Sequence, residues 1–385
     1  MKALAVNAGS SSLKAALYDV EPGAVLAAPP EPCWRGEAEC DPGRGREAAE
    51  QLLRGLCEGA DAPLRSPAEV AVVGHRIVHG GTRFRSPARM SCDVKDAVAA
   101  LASSAPLHNA AALECVAAAE RFVGGGTPQV GVFDTAFHAD LPPGAHAYAG
   151  PHEWLERGLR RFGFHGINHE YAAHRAAHLL GRPIASLRMI TCHLGSGGSL
   201  AAVLGGRSVD TTMGFTPLEG LVMGSRSGSV DPGLLLYLLR EPGASVDSLD
   251  ALLNHGSGLR GLSGRSADLR EVLDARRDGD PAARLAFDVY IHRLRFHIGA
   301  MLGAIGGLDA IVFTAGIGEH SAEVRDAALA PFGFLGLELD PGRGERAGVD
   351  ADVATDRSAV RVLVVRAREE WAIARAAAGV VGDAP

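Results

Sequence analysis

Two glycine- and serine-rich tips are the segments of this chain best suited to hold phosphate. The first reads Asn7-Ala8-Gly9-Ser10-Ser11-Ser12-Leu13-Lys14, and the second His193-Leu194-Gly195-Ser196-Gly197-Gly198. Glycine leaves backbone N–H groups open to an anion, and serine hydroxyls beside them add donors that turn toward phosphate oxygens. Side chains alternate along a strand, so Ser12 and Lys14 fall on one face. Only three of the 38 basic residues are lysines (Lys2, Lys14 and Lys95), and a compact ammonium does not replace a guanidinium. One such tip is an ordinary hairpin, whereas two matched tips can hold a polyphosphate.

A third glycine-rich run, Thr314-Ala315-Gly316-Ile317-Gly318-Glu319-His320-Ser321, follows an apolar stretch and opens a helical one. With Asp268-Leu269-Arg270 upstream it can wall a nucleoside. Four further segments each put a charged or titratable residue at an expected strand end or in a glycine-lined loop: Gly74-His75-Arg76, Phe133-Asp134, Phe164-His165-Gly166 and Gly224-Ser225-Arg226. Arginine forks suit planar carboxylates and phosphates, and an aspartate near a triphosphate holds Mg²⁺ or orients the nucleophile. The GxxxxGK[ST] phosphate loop is absent, so nucleotide chemistry here needs another architecture.

Strand patterns fit residues 2–7, 13–18, 70–73, 130–133, 189–194, 200–204, 310–314 and 361–365. Helical patterns fit 110–121, 169–180, 234–240, 284–301 and 369–381. Alternation of the two makes an α/β protein with helix-covered sheets. Both glycine tips join two strands, and both are followed by leucine and an Ala-Ala pair, which points to a duplicated domain. Residues 21–66, rich in Pro, Gly and Glu, read as an irregular insertion. The last helix, following a strand of the second half, is expected to cross back onto the first.

Composition narrows the function. A chain of 385 residues with 47% apolar content supports two cores. No apolar run approaches the ~20 residues of a bilayer span, and residues 1–7 lack a signal pattern. A net charge of −7 argues against nucleic-acid and membrane-surface partners. The six cysteines form no CxxC pair, as expected of free thiols in a reducing cytoplasm. His169 and His174 are five residues apart, which turns a helix by about 140° and separates them; His174 and His178 share a face but lack a third ligand.

The motifs VNAGSSSLK, GHRIVHGG, SAPLHN, FDTAFH, FGFHG with NHEY, CHLGSGGS, DTTMGFTPLEGLVMGSRSG and FTAGIGEHS occur in this order from end to end. In them the chain resembles the acetate kinase, or acetokinase, family. The resemblance implies two duplicated ribonuclease H-like domains of the sugar kinase/Hsp70/actin type with a cleft between them. They would span 1–137, completed by the C-terminal helix 371–385, and 138–370, which carries the nucleotide site. It also implies ATP as co-substrate, Mg²⁺ (or Mn²⁺), a short carboxylic acid as acceptor, a cytoplasmic location and a homodimer. Residue by residue, Ser10, Ser12 and Lys14 match the first phosphate segment, with Asn7 near the metal and Glu369 its carboxylate. Arg76 and Arg226 match the pair gripping the carboxylate and transferring phosphoryl group, Asp134 the catalytic acid, and His165 with Arg226 the transition-state stabilisers. Val78, Leu107, Phe164 and Pro217 match the acyl pocket. His193, Leu194, Gly195, Ser196 and Gly197, then Asp268, Leu269 and Arg270, then Gly316, Ile317, Gly318, Glu319 and His320 match the ATP contacts.

Four positions depart from the family's pattern. Ser196 and His320 stand where asparagine is usual, Ala367-Arg368 replaces Thr-Asn before Glu369, and Ala110 replaces a proline. The expected reaction is in-line phosphoryl transfer from ATP to acetate. Propionate or butyrate kinase is the alternative within the family, and a non-catalytic nucleotide-binding regulatory module the alternative outside it.

Overall fold

Near-continuous runs of Val, Ile, Leu and Ala make central strands that are buried on both faces, and these form the middle of two six-stranded mixed sheets. The computed structural model describes residues 1–382 except 10–11, 22, 40–44, 60–61, 102–105 and 347–349; at 106–108 and 345–346 it describes the backbone only. The strands of the first sheet are β1 (Lys2–Ala8), β2 (Ser12–Asp19), β3 (Trp34–Glu39), β4 (Val72–Ile77), β5 (Ala88–Arg89) and β6 (Gln129–Phe133). Those of the second are β7 (Arg188–Leu194), β8 (Gly198–Leu204), β9 (Arg207–Thr211), β10 (Ala310–Thr314), β11 (Ala351–Asp352) and β12 (Arg361–Val364).

The order β3-β2-β1-β4-β6-β5 in the first sheet is matched by β9-β8-β7-β10-β12-β11 in the second. Neighbours run antiparallel, antiparallel, parallel, parallel and antiparallel in both. Each glycine tip closes the central strand onto its antiparallel partner, β1 onto β2 and β7 onto β8. The internal repeat in the sequence is therefore a repeat of topology.

The chain divides into two units, Met1–Ala139 with Phe164–Arg175 and Arg368–Pro385, and Asp140–Gly163 with Ala176–Ala367. Phe164–Arg175, which a boundary at 137/138 would give to the second half, is tied into the first. Gly166 N donates to Asp134 O at 2.9 Å, and the His138 ring bonds Phe164 O at 3.2 Å.

Two expectations need correction. Residues 21–66 are not wholly irregular, since they contain β3 and the helix Gly45–Arg54. In β3 the charged residues Arg35, Glu37 and Glu39 are exposed while alternate positions are half-buried, and the helix buries Ala49 and Leu53; charge masks the periodicity in both. The strand expected at 70–73 starts at Val72 and continues through His75 and Arg76. His75 tolerates burial there because its Nε2 bonds Gln129 Oε1 at 2.7 Å. Cys33, Cys57, Cys92, Cys115 and Cys192 are free thiols, and Cys40 lies outside the described residues.

In the second unit the helix Pro281–Ile305 lies along β7, β8 and β9. Asp280 caps it by accepting from Ala282 and Ala283 N–H, and Gly306 ends it in the left-handed conformation. In the first, the helix Glu369–Gly382 covers β1, β2, β4 and β6. Trp371 anchors that helix: its ring lies 5.5 Å from Tyr18 and its Nε1 donates to Leu26 O at 3.0 Å. Trp371→Ala, which removes a side chain only 1% exposed and its hydrogen bond, is expected to lower stability by about 3–5 kcal/mol. Urea unfolding checks this, and an unchanged midpoint would mean that the helix adds little to the first core.

Candidate active site

Three parallel strands of the first unit, β1, β4 and β6, end side by side, at the edge where open α/β sheets place ligands. Asn7 sits near the end of β1, Arg76 near the end of β4, and Asp134 follows β6, with its N–H donating to Ile77 O at 2.9 Å. Sheet register thus brings together residues far apart in sequence. Arg76 Nε and Nη2 both donate to Asp134 Oδ2, at 2.8 and 2.5 Å, and Arg76 Nη1 donates to Asn7 Oδ1 at 3.3 Å. Asn7 Nδ2 in turn donates to Glu369 Oε2 at 2.9 Å and Glu370 Oε1 at 3.0 Å. One hydrogen-bonded line runs from Asp134 through Arg76 and Asn7 to the first turn of the last helix.

Burial works against the charge on Arg76, but Asp134 and Glu369 outweigh it and raise its pKa. Burial also pushes the Asp134 carboxyl above its ordinary value, with Arg76 pulling it back. Two bonds from a permanently charged guanidinium keep that carboxylate ionised at neutral pH. Glu370, which is not among the residues expected from the sequence, meets Asn7 as closely as Glu369 does. Its one available signal was a pair of carboxylates at the positive end of a helix.

His165 lies in the left-handed region at φ 57, one of three non-glycine residues with positive φ among the described residues; Ala315 (φ 64), in the third glycine run, is another. Such strain marks functional loops when the surroundings impose it. The next residue, Gly166, is tightly packed: a Cβ at that position would lie 2.1 Å from Asp134 O, so the chain passes directly over the Asp134 backbone. Phe164 and Val78 are buried, and the His79 ring meets Phe164 edge-on at 5.5 Å. His79 Nδ1 accepts from Gly81 N at 2.9 Å, which places the ring proton on Nε2. Leu107 lies in the helix Pro106–Val123, and its side chain is outside the described atoms.

The first glycine tip is closed by Gly9 N donating to Ser12 O at 2.8 Å; Ser10 lies outside the described residues. Leu13 is buried and Lys14 exposed, as alternation requires. Lys14 faces Glu37 across the β2–β3 ladder at 3.7 Å.

The second unit contains a cavity of ≈ 980 Å³, at the upper end of sizes typical for small-ligand sites. Gly195, Ser196, Asp268, Leu269, Arg270, Gly316, Ile317 and His320 line it, bringing together three segments singled out by sequence. Asp268 caps the helix Leu269–Arg277 by accepting from Arg270 N. The Arg270 side chain also bonds Asp268 at 3.0 Å and lowers its pKa. Leu273 and Ile317 give the cavity apolar surface. His193, Leu194, Gly197, Gly318 and Glu319 are not among its lining residues. Leu194 belongs to the hydrophobic core, and Glu319 Oε1 accepts from Ala367 N at 2.9 Å. In the same unit Arg226 Nη1 donates to Pro217 O at 3.3 Å, so an expected acyl-pocket residue and an expected phosphoryl-binding residue are joined directly.

Among the described residues no group of three His, Cys, Asp or Glu is arranged to hold a metal. The hard oxygen donors near Asn7 are Glu369 and Glu370. Two carboxylates fit Mg²⁺, which keeps waters and takes substrate phosphates for its remaining positions.

The acetokinase family's sequence profile matches residues 2–375. An acetate kinase from Nostoc sp. is 50% identical over 398 aligned residues, covering 97% of this chain and 98% of that protein. One from Gloeobacter violaceus is 50% identical over 397, with the same coverage. Among solved structures, Porphyromonas gingivalis acetate kinase matches with a TM-score of 0.88 at 37% identity over 99% of each chain. A propionate kinase from Francisella tularensis subsp. tularensis SCHU S4 matches with a TM-score of 0.86 at 32% identity, over 98% of this chain and 99% of that one.

His138 and His75 impose an acid limit on the first unit. Burial pushes both pKa values down from 6.5 to about 4. Between those values the unfolded chain binds protons that the folded one refuses, so their contribution is intact above pH 6.5 and declines toward pH 4. Each histidine is expected to cost up to about 1.4 kcal/mol per pH unit in that window. Urea unfolding across the window should show the slope, and His138→Asn should reduce it. A flat profile would mean that the imidazoles accept protons inside the intact fold.

Proposed function

Because the chain belongs to the acetokinase family, we propose that it transfers the γ-phosphoryl group of ATP to acetate, giving acetyl phosphate and ADP, and runs the reverse reaction. Arg76 carries the reading. Three of the five N–H groups of its guanidinium are bonded to Asp134 and Asn7 among the described residues, leaving two for an acceptor carboxylate. A fork held at the ends of three strands can receive an acid without first reorganising.

Acetate arrives ionised, so no base is needed. A carboxylate oxygen forms the new bond to the γ-phosphorus while the bond to the β,γ-bridging oxygen breaks and ADP leaves. Arg76 orients the acid, and Asp134 holds Arg76. Arg226 and His165 stabilise the charge that builds on the equatorial oxygens. The ≈ 980 Å³ cavity, with its apolar surface and glycine tip, takes the nucleotide. Ser196 and His320 line that cavity, so the departures from the family's pattern there tune nucleotide affinity and leave the acceptor groups untouched. Glu369 and Glu370 would hold Mg²⁺, which when bound neutralises polyphosphate charge. Val78 and Phe164, both buried, with Pro217, bound the acyl group. One methylene in such a pocket discriminates by only about 1–3 kcal/mol, so propionate is the second acceptor to test, as the named propionate kinase relative suggests.

A homodimer accords with two helices of the second unit, Pro232–Leu238 and Val246–His255, which have no buried residue. They expose Leu236, Tyr237 and Val246, the last at 74%, an apolar surface suited to a second copy. No described helix is long and apolar enough to cross a membrane. With a net charge of −7, that accords with a cytoplasmic enzyme.

Acyl phosphate trapped by hydroxylamine, from Mg-ATP and acetate, propionate or butyrate in turn, is the test. Acetate is expected to give the highest kcat/KM, and Arg226→Ala to lower kcat by at least about 10³-fold, the scale of a transition-state arginine. ATP binding without acyl phosphate from any acid would instead favour the regulatory module.

A further inference from the structure

The motif Asp210–Gly228 holds Pro217 and Arg226, yet its half-buried ion pair with Arg161 is formed by neither but by Glu219. Glu219 Oε1 accepts from Arg161 Nη2 at 2.7 Å, and Glu219 Oε2 accepts from the Tyr148 hydroxyl at 2.6 Å. The same hydroxyl accepts from Phe215 N at 2.8 Å. Arg161 Nη1 donates to three successive carbonyls, those of Thr211, Thr212 and Met213, at 3.2, 3.0 and 3.0 Å. Arg161 is 17% exposed and Glu219 34%. Glu219 thus fixes one end of the segment 214–219, and Arg161 the approach to the other.

Gly214 shows how closely the segment wraps this carboxylate. A Cβ there would lie 1.7 Å from Glu219 Oε2 and 2.3 Å from the Tyr148 hydroxyl oxygen. Gly214 O also accepts from Phe162 N at 3.0 Å, and the Phe162 and Phe215 rings lie 5.8 Å apart. Burial, and then Glu219 beside it, pushes the Tyr148 phenol above its ordinary pKa, so it remains a donor at physiological pH. Pro217 lies inside the loop so closed, two residues from Glu219, and its carbonyl accepts from Arg226 Nη1.

We propose that Glu219, clamped by Tyr148 and Arg161, is a positioning and specificity-determining residue. It fixes the carbonyl that orients the Arg226 guanidinium and the ring that bounds the acyl group, so it sets acid size and phosphoryl alignment together. The inference rests on the acyl-phosphate-forming activity proposed above and assigns a task to residues outside its substrate contacts. None of Tyr148, Arg161 and Glu219 lines the ≈ 980 Å³ cavity, so their effect falls on the acceptor side of the reaction.

The test compares Tyr148→Phe and Glu219→Gln with the unsubstituted enzyme, measuring kcat and KM for acetate, propionate, butyrate and ATP by hydroxylamine trapping, with a thermal melt of each protein. Tyr148→Phe keeps the ring and removes only the hydroxyl, so it is read even if Glu219→Gln fails to fold. Expected are a fall in kcat/KM for acetate of about tenfold, the scale of one lost hydrogen bond; a KM for ATP within about twofold; and a propionate-to-acetate ratio of kcat/KM raised at least about threefold by the loosened loop. Equal losses for all three acids, or no loss in either variant, overturn the inference while the function stands. If the unsubstituted enzyme forms no acyl phosphate, the proposed function falls and the inference falls with it.

Discussion

A guanidinium largely withdrawn from water must find a counter-charge, and the bond between Arg76 and Asp134 meets that demand where three parallel strands end. With side-chain exposures of 13% and 1%, the pair is costly to break, because either partner alone would leave a buried charge uncompensated, a penalty of about 3–5 kcal/mol. Such a pair is poor evidence for stability, since apolar residues of similar size would often do as well. Its value lies in direction. Asp134 takes two N–H groups of the fork on one oxygen and so fixes its plane. Asn7 adds a third bond and passes the alignment on to Glu369 and Glu370, so the register of β1, β4 and β6 places every charge in the line.

The second unit uses the same strand order to a different end. Where the first ends its parallel strands in an ion-paired line, the second leaves a glycine tip, a capped helix and an apolar cavity. Its positive charge is held on a loop, and a loop is precise only when something fixes it. Tyr148, Arg161 and Glu219 do this for Pro217 and Arg226, and the left-handed Ala315 does it by backbone constraint for the run that begins at Gly316. An acidic protein that handles anions must localise its basic groups in this way, because its overall field repels them.

Much of this arrangement was legible in the sequence. The repeated tips announced the doubled sheet, and Arg76 and Asp134 announced strand ends carrying charge. The segments around Gly195, Asp268 and Gly316 lie far apart in the chain, and folding brings them to one cavity. What escaped was hidden for physical reasons. Glu219 is separated from Arg161 by 58 residues and from Tyr148 by 71, and no local spacing encodes such contacts. Glu370 was masked by its neighbour, since two carboxylates opening a helix have an ordinary explanation in the helix dipole. β3 and the helix Gly45–Arg54 were masked by surface charge, and His75 and Arg76 disguised the length of β4. Leu194 lies in a tip that reads as ligand-binding, but strand alternation turns its side chain inward to the core.

The helix Glu369–Gly382 gives the fold an order in time. It is translated after the whole second unit, yet it covers β1, β2, β4 and β6, which are made before that unit. A ribosome adding about 5–20 residues per second therefore holds the first sheet incomplete, its apolar face uncovered, for many seconds. The second unit has its own central helix and both of its parallel partners by then, and can close first. The line from Asp134 to Glu370 can thus form only after the second unit has been made, and a chain truncated before Glu369 would carry the ≈ 980 Å³ cavity without the carboxylates that complete the line at Asn7.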